Sequence, residues 1–257
     1  MSEAPALEEA TAIVFDLSTE ELSVLLTMLD VIEIPGYIAE PLDERIETAV
    51  RNGLIAHGAI VPDGDGGWII SELVAAAITA GARAPRIVTL RRDFSAQTAE
   101  DWLFVLPGVV VQYSRPLYAV HRFQAIFEPE GLTEALVDLF QLSEPEDVAP
   151  AKLTLPIDLF DVRHLARQGR TNEAEDAAER YVLPDDLRAA LLTPSQYAAL
   201  SSTSVHHGSQ VNVDGGLAVT AAYPGQYWLL TPDGDTVYAE RTNSTGVVTR
   251  IAQIMQP

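Results

Sequence analysis

The chain has 257 residues, 47% of them hydrophobic, with 37 Asp and Glu against 16 Lys and Arg for a net charge of −21. That is ample apolar material for one large or two small packed domains and excludes a disordered chain. A surface this negative repels phosphate backbones and anionic lipid headgroups, so nucleic-acid and membrane partners are disfavoured; the charge otherwise reads as a source of solubility, with a basic or polar partner as the sharper alternative.

Cysteine is absent, which removes disulfides, thiolate chemistry and cysteine-ligated metal centres. Met1–Ala10 holds Glu3, Glu8 and Glu9 and no basic residue, unlike a signal peptide. The longest apolar runs, Leu73–Ala80 and Leu103–Val111, fall short of the ~20 residues a membrane helix needs. These features predict a soluble, cytoplasmic protein with no cofactor.

In chain order, residues 1–12 read as an N-terminal tail whose last residue opens a short strand, Ala12–Leu17. Ser18-Thr-Glu-Glu21 then has the capping-box pattern, and Leu22, Leu25, Leu26 and Leu29 follow at helical spacing. Pro35-Gly36 breaks the chain. A second helix is predicted over Asp43–His57, with Ile46, Ala49, Val50 and Leu54 on one face. Ala59–Val61 and Trp68–Ile70 flank the turn Pro62-Asp-Gly-Asp-Gly-Gly67 as a hairpin, and a helix over Ser71–Ala80 follows. The order helix, hairpin, helix resembles a winged-helix element, a use that the acidic charge argues against. From Arg86 the periodicity turns strand-like over Ile87–Leu90, Trp102–Leu106, Val109–Tyr113 and Leu117–Phe127. A helix over Thr133–Gln141 closes this half, residues 13–142.

Residues 143–152, beginning Ser-Glu-Pro-Glu-Asp-Val-Ala-Pro150, read as a linker. The second half, residues 153–257, repeats the plan. A strand over Leu153–Leu159 is followed by helices at Val162–Gln168 (capped by Asp161), Glu173–Val182, Asp185–Leu192 and Pro194–Leu200. Strands are predicted at Val205–Val213, Leu217–Ala222, Tyr227–Thr231 and Thr236–Glu240, and a final helix at Val247–Met255.

The halves match in local detail. Pro107-Gly108 precedes Val109–Tyr113, then Pro116 and Leu117-Tyr-Ala119; Pro224-Gly225 precedes Gln226–Leu230, then Pro232 and Val237-Tyr-Ala239. Leu132, Leu136, Leu139 and Phe140 correspond to Val247, Ile251, Ile254 and Met255 in the closing helices. The expected fold class is therefore α+β, in two similar halves related by a pseudo-two-fold axis, each with a largely antiparallel sheet and packed helices.

No catalytic motif accompanies this plan. Counted from Asp63, the calcium-loop positions that need Gly and Glu hold Trp68 and Val74, so Asp63 and Asp65 read as exposed turn residues. The histidines, His57, His121, His164, His206 and His207, form no metal-spaced pair, and adjacent His206 and His207 would point to opposite faces of a strand. There is no G-x-S-x-G, P-loop or G-x-G-x-x-G. No metal site, cofactor or catalytic residue is predicted.

Three segments carry a family resemblance: Phe15-Asp-Leu-Ser-Thr-Glu-Glu-Leu22, Arg51-Asn-Gly-Leu-Ile-Ala-His-Gly58 and Tyr223-Pro-Gly-Gln-Tyr-Trp-Leu-Leu230. With the length, acidity and two-half layout, they make the chain similar to the EspG family of type VII (ESX) secretion chaperones. The resemblance implies cytosolic recognition of a helical PE–PPE-type secretion substrate, through residues around 194–230. This chain is shorter than the family pattern, with compressed connections. Tyr197, Tyr223, Gln226, Tyr227 and Trp228 are the candidate partner-binding residues. In a strand Tyr227 and Trp228 face opposite sides, so one can enter the core while the other stays available. The expected function is a non-enzymatic chaperone or adaptor. The alternatives are an enzyme or small-ligand protein with a site between its halves, and a regulatory or structural subunit.

Overall fold

Ser18 starts the first helix as its residue type requires. In a computed structural model of the protein, which describes residues 13–64, 66–94, 97–126, 131–206 and 210–255, the Ser18 hydroxyl accepts the Glu21 amide hydrogen at 3.1 Å. The Glu21 carboxylate in return takes the Ser18 amide hydrogen at 2.8 Å, closing the capping box. The tail, Asp65 and His207 lie outside the described residues.

The described residues form eight helices and fourteen strands. The chain opens with β1 (Ile13–Ser18), α1 (Thr19–Met28), β2 (Glu33–Ile34), β3 (Tyr37–Ile38) and α2 (Glu44–Ala56). It continues with β4 (Ile60–Pro62), β5 (Trp68–Ile70), α3 (Glu72–Arg83), β6 (Arg86–Phe94), β7 (Gln97–Leu106), β8 (Val109–Leu117), β9 (Val120–Ile126) and α4 (Leu132–Phe140). Then come β10 (Ala151–Pro156), α5 (Leu159–Arg167), α6 (Thr171–Ala178), α7 (Asp185–Leu192), β11 (Gln196–His206), β12 (Gln210–Tyr223), β13 (Gln226–Asp233), β14 (Thr236–Thr242) and α8 (Ser244–Met255). The class is α+β, and every strand pair whose register is defined is antiparallel.

Packing groups the chain into two units, one of residues 1–85 with 102–129 and one of residues 86–101 with 130–257. In the first, the strand order is β1-β9-β8-β7. Leu22, Leu25 and Leu26 of α1 and Ile78 of α3 are fully buried there. In its aromatic centre Tyr113 stacks on Trp102, with ring centroids 5.2 Å apart, and meets the tilted ring of Phe123 at 4.9 Å. Gly36, at φ +81°, admits no side chain, because a Cβ there would sit 2.5 Å from the Trp102 ring.

The second unit orders its strands β7-β6-β11-β12-β13-β14-β10. Residues opposed across antiparallel strands share a face, which makes Asp93, Tyr197, Thr220, Trp228 and Arg241 one transverse row. That face is covered by α5, α6 and α7, whose Leu159, Val162, Ala177, Ala178, Leu187 and Leu191 pack on Ala218, Trp228 and Leu230. The opposite face lies under α8, which packs on β12, β13 and β14 and against α4. Two arginines of β6 tie those helices down by their C-terminal carbonyls: Arg86 donates to Ile254 O and Met255 O, and Arg92 to Leu139 O.

Several predicted elements differ. Residues 194–200 are not a helix; from Gln196 they form β11, paired on both sides by β6 and β12. Two central ladders outweigh the helical propensity of Ala198, Ala199 and Leu200. The strand predicted over Val205–Val213 is the end of β11 and the start of β12, and residues 207–209 lie outside the described residues. Helix α5 begins at Leu159 with Asp158 at its N-cap position, so Asp161 sits inside the first turn. On α2 only Leu54 is buried, while Ile46 and Ala49 face solvent.

Candidate partner-binding surface

The Pro224-Gly225 turn puts Tyr223 directly opposite Gln226 at the end of the β12–β13 hairpin. Tyr223 is 59% exposed. Gln226 is half-buried and fixed at both ends of its amide, donating to Glu146 Oε2 at 3.0 Å and accepting from Arg241 at 3.0 Å. Tyr223 is thus a free ring on a rigid support, the kind of side chain that contributes contact area at low entropic cost.

The expectation that Tyr227 or Trp228 stays available fails, because both faces of β13 are roofed by helices. Tyr227 is 0% and Trp228 2% exposed. Tyr227 uses its hydroxyl to accept the Ser143 amide hydrogen at 2.8 Å, pinning the segment after α4. Trp228 donates from Nε1 to Asp186 Oδ2 at 3.0 Å, and Arg241 Nε stands 3.0 Å from the same oxygen. These are the satisfied polar tips of core aromatics.

Tyr197 is half-buried on the same face as Trp228, and desolvation of its phenol raises its pKa. The Arg163 guanidinium lies 5.0 Å over its ring, a cation–π contact. Arg163 in turn donates to Asp93 Oδ2 at 3.0 Å, and Thr98 donates to Asp93 Oδ1 at 3.0 Å. Arg167 donates to the Thr98 hydroxyl at 3.1 Å. The Nε atoms of Arg91 and Arg167 stand 3.9 and 3.7 Å from Asp93 Oδ1. Sequence reasoning missed this group, although Arg163 and Arg167 share a face of α5 at i, i+4 and Arg91 and Asp93 share a face of β6.

The remaining polar features offer little chemistry. His121 is fully buried, with Tyr113 Oη 2.7 Å from Nδ1 and Thr19 Oγ1 3.2 Å from Nε2. Burial lowers its pKa to about 4, which makes the imidazole a weak base for activating the Thr19 hydroxyl. Two grooves of about 840 and 850 Å³, one around Tyr37 and Arg115 and one around Tyr238 and Arg250, contain no histidine in their linings. Among the described residues no group of His, Asp and Glu is arranged to hold a metal. Asp63 is an exposed turn residue whose Oδ1 accepts the Gly67 amide hydrogen at 2.8 Å. Among the described residues no helix is long and apolar enough to cross a membrane.

No protein-family model and no curated protein matches the chain. Among solved structures it is similar to the Mycobacterium tuberculosis type VII secretion system chaperone EspG5, solved in complex with a PE25–PPE41 dimer. The identity is 12% and the TM-score 0.67, over 95% of this chain and 96% of that chain. At that identity the likeness is one of fold, and it agrees with the resemblance carried by Phe15–Leu22, Arg51–Gly58 and Tyr223–Leu230. In fold, this chain is similar to the type VII secretion chaperone EspG5 along nearly its whole length.

Proposed function

We propose that this protein is a non-enzymatic cytoplasmic chaperone or adaptor that binds a helical PE–PPE-type secretion substrate. The observation that carries the reading is the near-complete mutual coverage with EspG5, a chaperone captured holding a PE–PPE dimer. The chain's own features agree with it. Tyr223 is an exposed aromatic on a braced hairpin, Gln226 and Tyr197 flank the same face, and the net charge of −21 keeps a hydrophobic-client carrier soluble. The contact surface consists of Tyr197, Tyr223 and Gln226, while Tyr227 and Trp228 act as its buried supports.

The two halves, 13–142 and 153–257, descend in this reading from one duplicated α+β plan. What supports it is the strand order, β1-β9-β8-β7-β6 in the first and β10-β14-β13-β12-β11 in the second. In each, the opening strand pairs antiparallel with the last.

Co-expression with each PE–PPE pair encoded in the same genome tests the function. Recovery of one pair in a stable complex is the expected result. Recovery of none contradicts the proposal.

A further inference from the structure

The Asp93 group concentrates positive charge in a protein that is otherwise strongly negative. Asp93, with a side chain 6% exposed, is, among the described residues, the one carboxylate shared by Arg91, Arg163 and Arg167, so three cations meet one anion. Arg163, 12% exposed, is committed to it and to the Tyr197 ring. Arg91 and Arg167 are not. At 3.9 and 3.7 Å their contacts with Asp93 are too long for hydrogen bonds. Arg91 makes no hydrogen bond among the described residues, and Arg167 makes one, to Thr98. Their side chains are 34% and 40% exposed, so both remain within reach of a ligand and keep N–H donors that no described residue accepts.

Like charges held this close repel unless an anion neutralises them. Asp93 answers one of the three, and two guanidiniums remain whose Nε atoms stand 3.9 and 3.7 Å from the same Asp93 oxygen. A carboxylate is the anion that matches a guanidinium fork in two parallel hydrogen bonds. The ligand is more specifically a protein carboxylate than a polyanion, because a net charge of −21 repels extended polyanions while tolerating one acidic side chain delivered by other contacts.

We propose that Arg91 and Arg167, seated on Asp93, Thr98 and Arg163, form a receptor for an acidic side chain of the protein partner. This rests on reading the protein as a protein-binding chaperone, and it adds the partner's local chemistry: a glutamate or aspartate on its docking helix.

The test uses the full chain and needs no PE–PPE dimer, so it can fail independently of the chaperone reading. A short capped alanine-rich helical peptide with two glutamates on one turn is titrated into protein labelled for detection of arginine Nε–Hε signals. The Arg91 and Arg167 signals should shift saturably, and the shift should fade with added salt. Arg91→Gln and Arg167→Gln, checked for folding by circular dichroism, should each weaken binding about tenfold. Three results would overturn the proposal: unmoved arginine signals, equal binding of the glutamine version of the peptide, or folded variants that bind as tightly as wild type. Equal shifts with inorganic phosphate would assign the cluster to free anions and overturn it as well.

Discussion

Tyr227 and Trp228 are adjacent in β13, point to opposite faces, and each anchors a different layer: Tyr227 the Ser143 segment, Trp228 the start of α7. Both are therefore stability residues. Trp228→Ala should cost about 3–5 kcal/mol through the cavity it leaves. Tyr227→Phe, which orphans the Ser143 amide, should cost about 1 kcal/mol. Tyr223→Ala should change stability by less than about 0.5 kcal/mol. Urea unfolding of the three variants checks the ranking, and a Tyr223 effect as large as that of Trp228 would place its ring in the core.

Gly225 couples the hairpin to the segment between α4 and β10. Its φ is +80°, and a Cβ there would sit 2.8 Å from Glu146 Cγ and 2.9 Å from the Glu144 carbonyl oxygen. Gln226 and Asn243 also bond that segment, to Glu146 Oε2 and Glu146 O. Gly225→Ala should destabilise by about 1–3 kcal/mol, combining backbone strain with the clash. Limited proteolysis should then cut first within residues 143–150; unchanged cleavage would mean the segment is not held by this turn.

His121 predicts a pH dependence with a definite sign. Its folded pKa, about 4, lies below the ordinary value of 6.5 because burial disfavours the imidazolium. The unfolded chain therefore binds the proton more readily, and the stability from neutral His121 is complete above pH 6.5. It is lost as pH falls from there through about 4, by up to about 1.4 kcal/mol per pH unit. His121→Gln should flatten the slope of stability between pH 6.5 and 5. An unchanged slope would mean that other groups carry it.

Much of the fold is legible in local chemistry. The Ser18–Glu21 box, the two Pro-Gly hairpins and the stripe Leu132, Leu136 and Phe140 are decided by neighbours in sequence. Residues 194–200 were not legible, because their helical propensity is overruled by β6, which is about a hundred residues away. The aromatic pair failed for a related reason: alternation says that Tyr227 and Trp228 diverge, but only tertiary structure says that helices cover both faces. The Arg91, Asp93, Thr98, Arg163 and Arg167 group was invisible for the same reason, since two strands and a helix must meet to assemble it.

The proposed duplication also makes a geometric prediction. Residues 13–141 and 153–256, solved crystallographically and laid on one another, should superpose with equivalent element order. A different strand order in the two halves would contradict the duplication.

The most direct test of the central claim is calorimetric titration of the purified protein with PE–PPE dimers from its own genome, comparing wild type with Tyr223→Ala. The account predicts that one dimer binds wild type with Kd of about 1 μM or tighter, and that Tyr223→Ala weakens it by about tenfold or more while its unfolding midpoint is unchanged. Absence of binding by every dimer, or full affinity in the folded Tyr223→Ala variant, would contradict it.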